Sequence, residues 1–150
     1  MKLKNATIFF ESLEAETSNK SEIKIYQEFI KIINSLEKKD LSKNEIQSIE
    51  MELNKLNLKS NAVNRKKYYR KANNDFKKYL KDTFSLTTKG HYTTFYGGLG
   101  LVFGMFFGVT ILSNFERSLG ISLGLIGGMV IGSIMGRNKE AQAKADGKIL

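Results

Sequence analysis

One stretch limits what this chain can fold into more than any other. Residues 92–136 hold eleven of the thirteen glycines and a single charged pair, Glu116 and Arg117. That pair sits in a polar break, Ser113-Asn114-Phe115-Glu116-Arg117-Ser118, between two apolar segments at 92–112 and 119–136. At about 1.5 Å per residue, the first segment reaches about 30 Å as a helix, the thickness of a bilayer's hydrocarbon core. The second lies near the lower limit of about 17 residues. A break this short makes the two helices antiparallel neighbours, and Tyr92, Phe95 and Tyr96 fall where interfacial aromatics are expected. The sequence therefore predicts an all-α chain that ends in a two-helix transmembrane hairpin.

Glycine spacing sharpens this expectation. Gly120, Gly124, Gly128, Gly132 and Gly136 form an unbroken four-residue repeat, and Gly100, Gly104 and Gly108 repeat the pattern on the first segment. Residues four apart follow one ridge of a helix. A ridge without side chains is a groove that admits a second helix, and in lipid such close contact is a main source of helix association. Glycine within a helix costs roughly 0.5–1 kcal/mol relative to alanine, so five in phase imply a packing partner. Two readings are open. The ridges pack only against each other within one chain, or they also support a homo-oligomer. Gly97, Gly98 and Gly127 lie off the ridges and add small surface beyond one hairpin contact. No G-x-x-x-x-G-K-[ST] loop is present, which leaves a phosphate-cradling role unsupported.

Charge sets the expected orientation. The net charge is +9. Residues 1–60 balance ten lysines against ten carboxylates, whereas residues 61–91 carry nine Lys or Arg against Asp75 and Asp82. Lys77, Lys78, Lys81 and Lys89 precede the first apolar segment, Arg137, Lys139 and Lys144 follow the second, and only Arg117 lies between them. Basic flanks stay cytoplasmic, so both termini are expected inside and Asn114 outside. The N-terminus has a basic tip but no adequate apolar run or small-residue cleavage site, and no cleaved targeting peptide is expected.

Ahead of the apolar block, residues 1–84 read as a small cytosolic helical domain, with 85–91 as connector and 137–150 as a basic cytosolic tail. The absence of proline favours helices throughout. Helices are predicted near 5–17, with Ile8, Phe9, Phe10 and Leu13 as the apolar side, and near 21–38, capped by Ser18 or Ser21. The second helix carries rows at Ile23, Tyr26, Ile30, Ile33 and at Ile25, Phe29, Ile32, Leu36. A third is predicted near 42–56, where Ser42 and Glu45 form a capping-box pattern ahead of Ile46, Ile49, Leu53 and Leu56. A fourth, near 62–84, buries Tyr69, Ala72, Phe76, Tyr79 and Leu80. Its other sides carry Arg65, Lys66, Lys67, Arg70, Lys71, Lys77, Lys78 and Lys81. Basic residues interleaved with Tyr68, Tyr69, Phe76 and Tyr79 can suit nucleic acid. Beside a membrane segment, contact with anionic lipid headgroups is the favoured reading.

Catalytic chemistry finds little support. The chain has no cysteine, which removes thiolate catalysis and zinc–sulfur sites. His91 is the only histidine and stands at the membrane boundary, where an interfacial role outweighs a ligand or base. No Ser-His-Asp arrangement or ligand-spaced cluster is present, and Glu11, Glu14 and Glu16 read as a solvated face. No Asp, Glu, Lys or His falls within either apolar segment, so the signature of ion-coupled transport is missing. Neither an enzyme nor a cofactor is expected.

Three features together carry a resemblance. They are Thr87-Thr88-Lys89-Gly90-His91-Tyr92 followed by G-x-x-x-G segments, then Gly136-Arg137-Asn138-Lys139-Glu140-Ala141, and the closing Gly147-Lys148-Ile149-Leu150. Over residues 85–150 the chain resembles small bacterial glycine-zipper membrane proteins. The resemblance implies a glycine-zipper hairpin in the bacterial cytoplasmic membrane and supplies no activity. The expected role is a self-associating membrane anchor or scaffold whose helical domain docks a cytosolic protein. The alternative is a pore-forming, channel or holin-like protein, although Thr93, Thr94, Thr110, Ser122 and Ser133 offer few polar groups for a wet lumen.

Overall fold

The computed structural model describes residues 1–60, 63–110 and 117–150, with the side chains of Arg117 and Ser118 excepted. Of the expected break at 113–118, residues 113–116 lie outside the described residues, as do 111 and 112 before it and 61 and 62, while Arg117 and Ser118 already belong to the last helix. The described residues form six helices, α1 (Leu3–Glu16), α2 (Lys20–Glu37), α3 (Lys43–Lys55), α4 (Arg65–Phe84), α5 (His91–Thr110) and α6 (Arg117–Ala145). They divide into two compact units, Met1–Thr87 with Leu150, and Thr88–Ile149.

The first unit is built around aromatic rings. Phe10 of α1 stacks on Phe29 of α2 at 4.2 Å, and Phe29 stacks on Phe76 of α4 at 6.2 Å. Tyr26 and Tyr69 meet edge to face at 5.3 Å. Offset and edge-to-face pairs of this kind add about 0.5–1.5 kcal/mol each beyond the area they bury. Burial is the leading reason that the Tyr26 phenol is pushed up to about 12, with the Glu22 carboxylate next. This core holds α1, a helix too short to be stable alone. Its buried positions are Leu3, Ala6, Phe10 and Leu13. Ile8, expected on the apolar side, is 64% exposed instead. The buried row recurs at three- and four-residue steps from Leu3, and Ile8 falls outside it.

Local chemistry sets the ends of the helices. Asn19, not either serine, caps α2 by accepting from the Ser21 amide at 3.0 Å. The Ser42–Glu45 capping box is present in full, and the two bonds from Ser42, side chain then backbone, lower the Glu45 carboxyl's pKa. Asn64 caps α4 by accepting from the Lys67 amide, so the helix begins at Arg65. Tyr68 donates to the carbonyls of Leu56 and Asn57, and Tyr69 donates to that of Leu58. These bonds satisfy backbone oxygens where α3 ends and Asn57 turns left-handed at φ 47°.

Two boundaries differ from expectation. Leu86 and Thr87 of the expected connector are buried and belong to the first unit. The final helix does not stop at Gly136 but runs to Ala145. Residues 137–145 include Ala141, Ala143 and Ala145 among charged straight-chain residues, all strong helix formers. Charge ends the apolar segment there without ending the helix.

Candidate functional site

Helices α5 and α6 are, by length and composition, long and apolar enough to cross a membrane. Their outward side chains do not belong to a soluble core. Phe95, Val102, Phe106, Leu123, Ile126 and Ile131 are each more than half exposed. A soluble monomer rarely displays a continuous apolar surface of this extent.

The inward faces are glycine. A Cβ on Gly100 would fall inside the carbonyl of Gly128, and one on Gly104 inside that of Gly124. The same holds in reverse for Gly124 against Gly104 and for Gly128 against Gly100, and Gly132 meets the Tyr96 carbonyl. At Gly108 the Cβ would stand 2.6 Å from the Gly120 oxygen, and at Gly136 it would stand 2.6 Å from the Thr93 Cα. Each step of four along α5 is matched by a step of four back along α6, the register of an antiparallel pair. All eight ridge glycines named from the sequence therefore lie on the face between the two helices. The off-ridge positions differ, because a Cβ on Gly98 or Gly127 would meet nothing within 4 Å. Gly127 instead lines an apolar groove of about 470 Å³ along the pair, together with Phe103, Phe107, Leu123 and Ile131.

The charged end of this pair has its own lock. Glu140, three residues beyond Arg137 on α6, accepts from the Gly90 amide and from the Thr93 hydroxyl at 2.9 Å, with the Thr93 amide at 3.4 Å. Gly90 has no side chain with which to cap α5, and a carboxylate from the neighbouring helix does so instead. Burial pushes the Glu140 carboxyl up. The bonds from Gly90 and Thr93, with Lys89 nearby, outweigh that push, and its pKa is lowered on balance. No sequence motif marks this pairing, since Glu140 is fifty residues from Gly90. His91 opens α5, its ring edge-to-face with Tyr92 at 5.4 Å.

The basic face of α4 is divided. Lys77 pairs with Glu28 of α2 at 2.9 Å, and Asn73 donates to the same carboxylate at 2.6 Å. Arg65 stands 3.6 Å from Glu16. Lys67, Arg70, Lys71, Lys78 and Lys81 are exposed, and Lys66 is half-buried. The two paired cations help hold the bundle, and the exposed ones form a charged stripe with Asp75 and Asp82 among them.

Comparisons with protein-family models, with curated proteins and with solved structures find no match to this chain.

Proposed function

We propose that this protein is a two-span membrane anchor, with α5 and α6 packed as a glycine-zipper hairpin and residues 1–87 as a helical interaction domain on the cytoplasmic side. One observation carries the reading: the two helices meet through glycine while their large apolar side chains face outward. In water that arrangement exposes a patch prone to aggregation. In lipid it is the expected one, because close backbone contact supplies the association and the apolar exterior meets the acyl chains. The resemblance to bacterial glycine-zipper membrane proteins belongs to the same reading, with both termini in the cytoplasm of a bacterial cell. Exposed cations of α4 then contact anionic headgroups. Self-association as a homo-oligomer draws on the outer surface near Gly98 and Gly127, since the ridge glycines already meet their sister helix. In this reading the protein has no enzymatic role.

The hydroxyls of Thr93 and Thr110, two of the five considered for a wet lumen, are already hydrogen-bonded within the protein. Thr93 donates to Glu140, Thr110 bonds the Phe106 carbonyl, and Ser133 faces Gly97.

The test uses the absence of native cysteine. A single Asn114→Cys substitution should react with a membrane-impermeant maleimide added outside intact cells, and the protein should resist extraction by alkaline carbonate. Release by carbonate, or labelling of the introduced thiol only after lysis, refutes the topology. Crosslinking in native membranes followed by mass determination should give multiples of one chain. A single-chain mass refutes self-association. Dye release from proteoliposomes would favour the pore.

A further inference from the structure

The second unit holds an open cavity of about 470 Å³, bordered by charged side chains, where α5 begins and the apolar part of α6 ends. This volume lies within the range of small-ligand sites, roughly 300–1,000 Å³. Lys89, Arg137 and Lys144 line it, with Glu140 as the sole carboxylate and Ile149 as an apolar wall. Glu140 is already committed, because it takes up the donors at the start of α5. The helix terminus is thus occupied and adds no free amide to the cavity. The three cations are exposed, and none joins a carboxylate in an ion pair among the described residues. Glu140 offsets only part of this charge, and the excess of cations over the single carboxylate around the cavity is relieved when a further anion sits among them.

We propose that this cavity holds the phosphate of an anionic phospholipid headgroup. The inference rests on the membrane reading, which places the cavity at headgroup depth beside Tyr92 and Gly136. Its chemistry suits a phosphodiester. A guanidinium offers paired donors to phosphate oxygens, and lysines act as point charges. The apolar surface of the hairpin then continues from the cavity along the lipid's chains. The proposed headgroup site is separate from the α4 stripe, which belongs to the other unit.

The experiment uses the full chain reconstituted in vesicles of phosphatidylcholine with and without phosphatidylglycerol. Native mass spectrometry of gently extracted protein then reads the retained lipid. The wild type should retain phosphatidylglycerol in preference to phosphatidylcholine. Joint replacement of Lys89, Arg137 and Lys144 by Gln should cut that preference roughly a hundredfold, about fivefold per cation. The triple Lys20→Gln, Lys24→Gln, Lys31→Gln removes equal charge from exposed positions of α2, which the lipid reading does not use, and should leave the preference largely intact. Equal loss in the two triples overturns the site, as does a wild type without preference. Displacement of the lipid by inorganic phosphate at modest concentration overturns the lipid as occupant in favour of free phosphate. Carbonate-resistant retention of wild type and both triples separates these outcomes from failure of the membrane reading, which would release all three proteins alike. Unchanged helical circular dichroism in the Gln triple excludes misfolding as the cause of lost lipid.

Discussion

Gly104→Ala is the most discriminating single perturbation of the hairpin. The new methyl would overlap the Gly124 carbonyl oxygen and stand 2.9 Å from its carbon and 3.0 Å from the Gly128 Cα. All three are backbone atoms and cannot rotate away. To restore ordinary contact, the helices must separate by roughly 1 Å along much of the ridge. A gap of 0.5–1 Å already forfeits about a quarter to a half of each dispersion contact, each worth about 0.1–0.2 kcal/mol. Over the tens of contacts along the ridge, the loss is about 2–3 kcal/mol, in line with other overpacked sites. Alanine returns up to about 1 kcal/mol through helix propensity. The net expectation is destabilisation by about 1–2 kcal/mol. Gly127→Ala receives the same propensity gain and meets nothing within 4 Å, so it should stabilise by up to about 1 kcal/mol. Reversible unfolding in mixed micelles, followed by circular dichroism, should separate the two variants by about 2–3 kcal/mol. Equal stability, or a Gly104→Ala protein more stable than Gly127→Ala, would refute packing through the ridge.

Three further outcomes follow from the same geometry. Glu140→Gln should weaken the cap on α5 by about 1 kcal/mol and speed hydrogen exchange at Gly90 and Thr93, with the rest of α5 little changed. Because the folded-state pKa of Glu140 is lowered, its contribution is present above the unfolded value of about 4.3 and is lost as pH falls through the lower folded value. Acid titration of the same exchange rates, against Glu140→Gln as a flat reference, checks this sign. Phe29→Ala removes the ring sandwiched between Phe10 and Phe76 and should cost about 3–5 kcal/mol, read as loss of cooperative unfolding of the first unit in urea. Ser42→Ala removes the side-chain half of the capping box, keeps the Ser42 amide's bond to Glu45, and should cost about 1 kcal/mol, measured as a shift in urea midpoint at constant m.

Much of this architecture could be read from residue order. Helical periodicity located α2, α3 and α4 to within a few residues, because their buried stripes repeat every three or four positions. The Ser42–Glu45 capping box was legible for the same reason: its partners are three residues apart. The four-residue glycine repeat placed the ridge glycines on one face of each helix, and the break between the apolar segments implied that those faces meet. Other features had no local signature. Ile8 looked like a core residue beside Phe9 and Phe10, and only packing on α2 decided which side of α1 was buried. The basic residues of α4 looked alike in sequence, yet Lys77 and Arg65 are drawn into pairs with Glu28 and Glu16 by folding.

What the sequence determined by itself was therefore set by short-range rules: helix periodicity, capping, and the separation of apolar from charged residues. The tertiary structure decided what depends on residues far apart in the chain. It set which glycine meets which carbonyl, left Gly127 facing a groove, and brought Glu140 to an α5 terminus that Gly90 cannot cap. It also gathered Lys89, Arg137 and Lys144 around one cavity. The physical reason is that these contacts arise only once two helices are placed side by side, and no spacing along a single strand of sequence encodes the register between them.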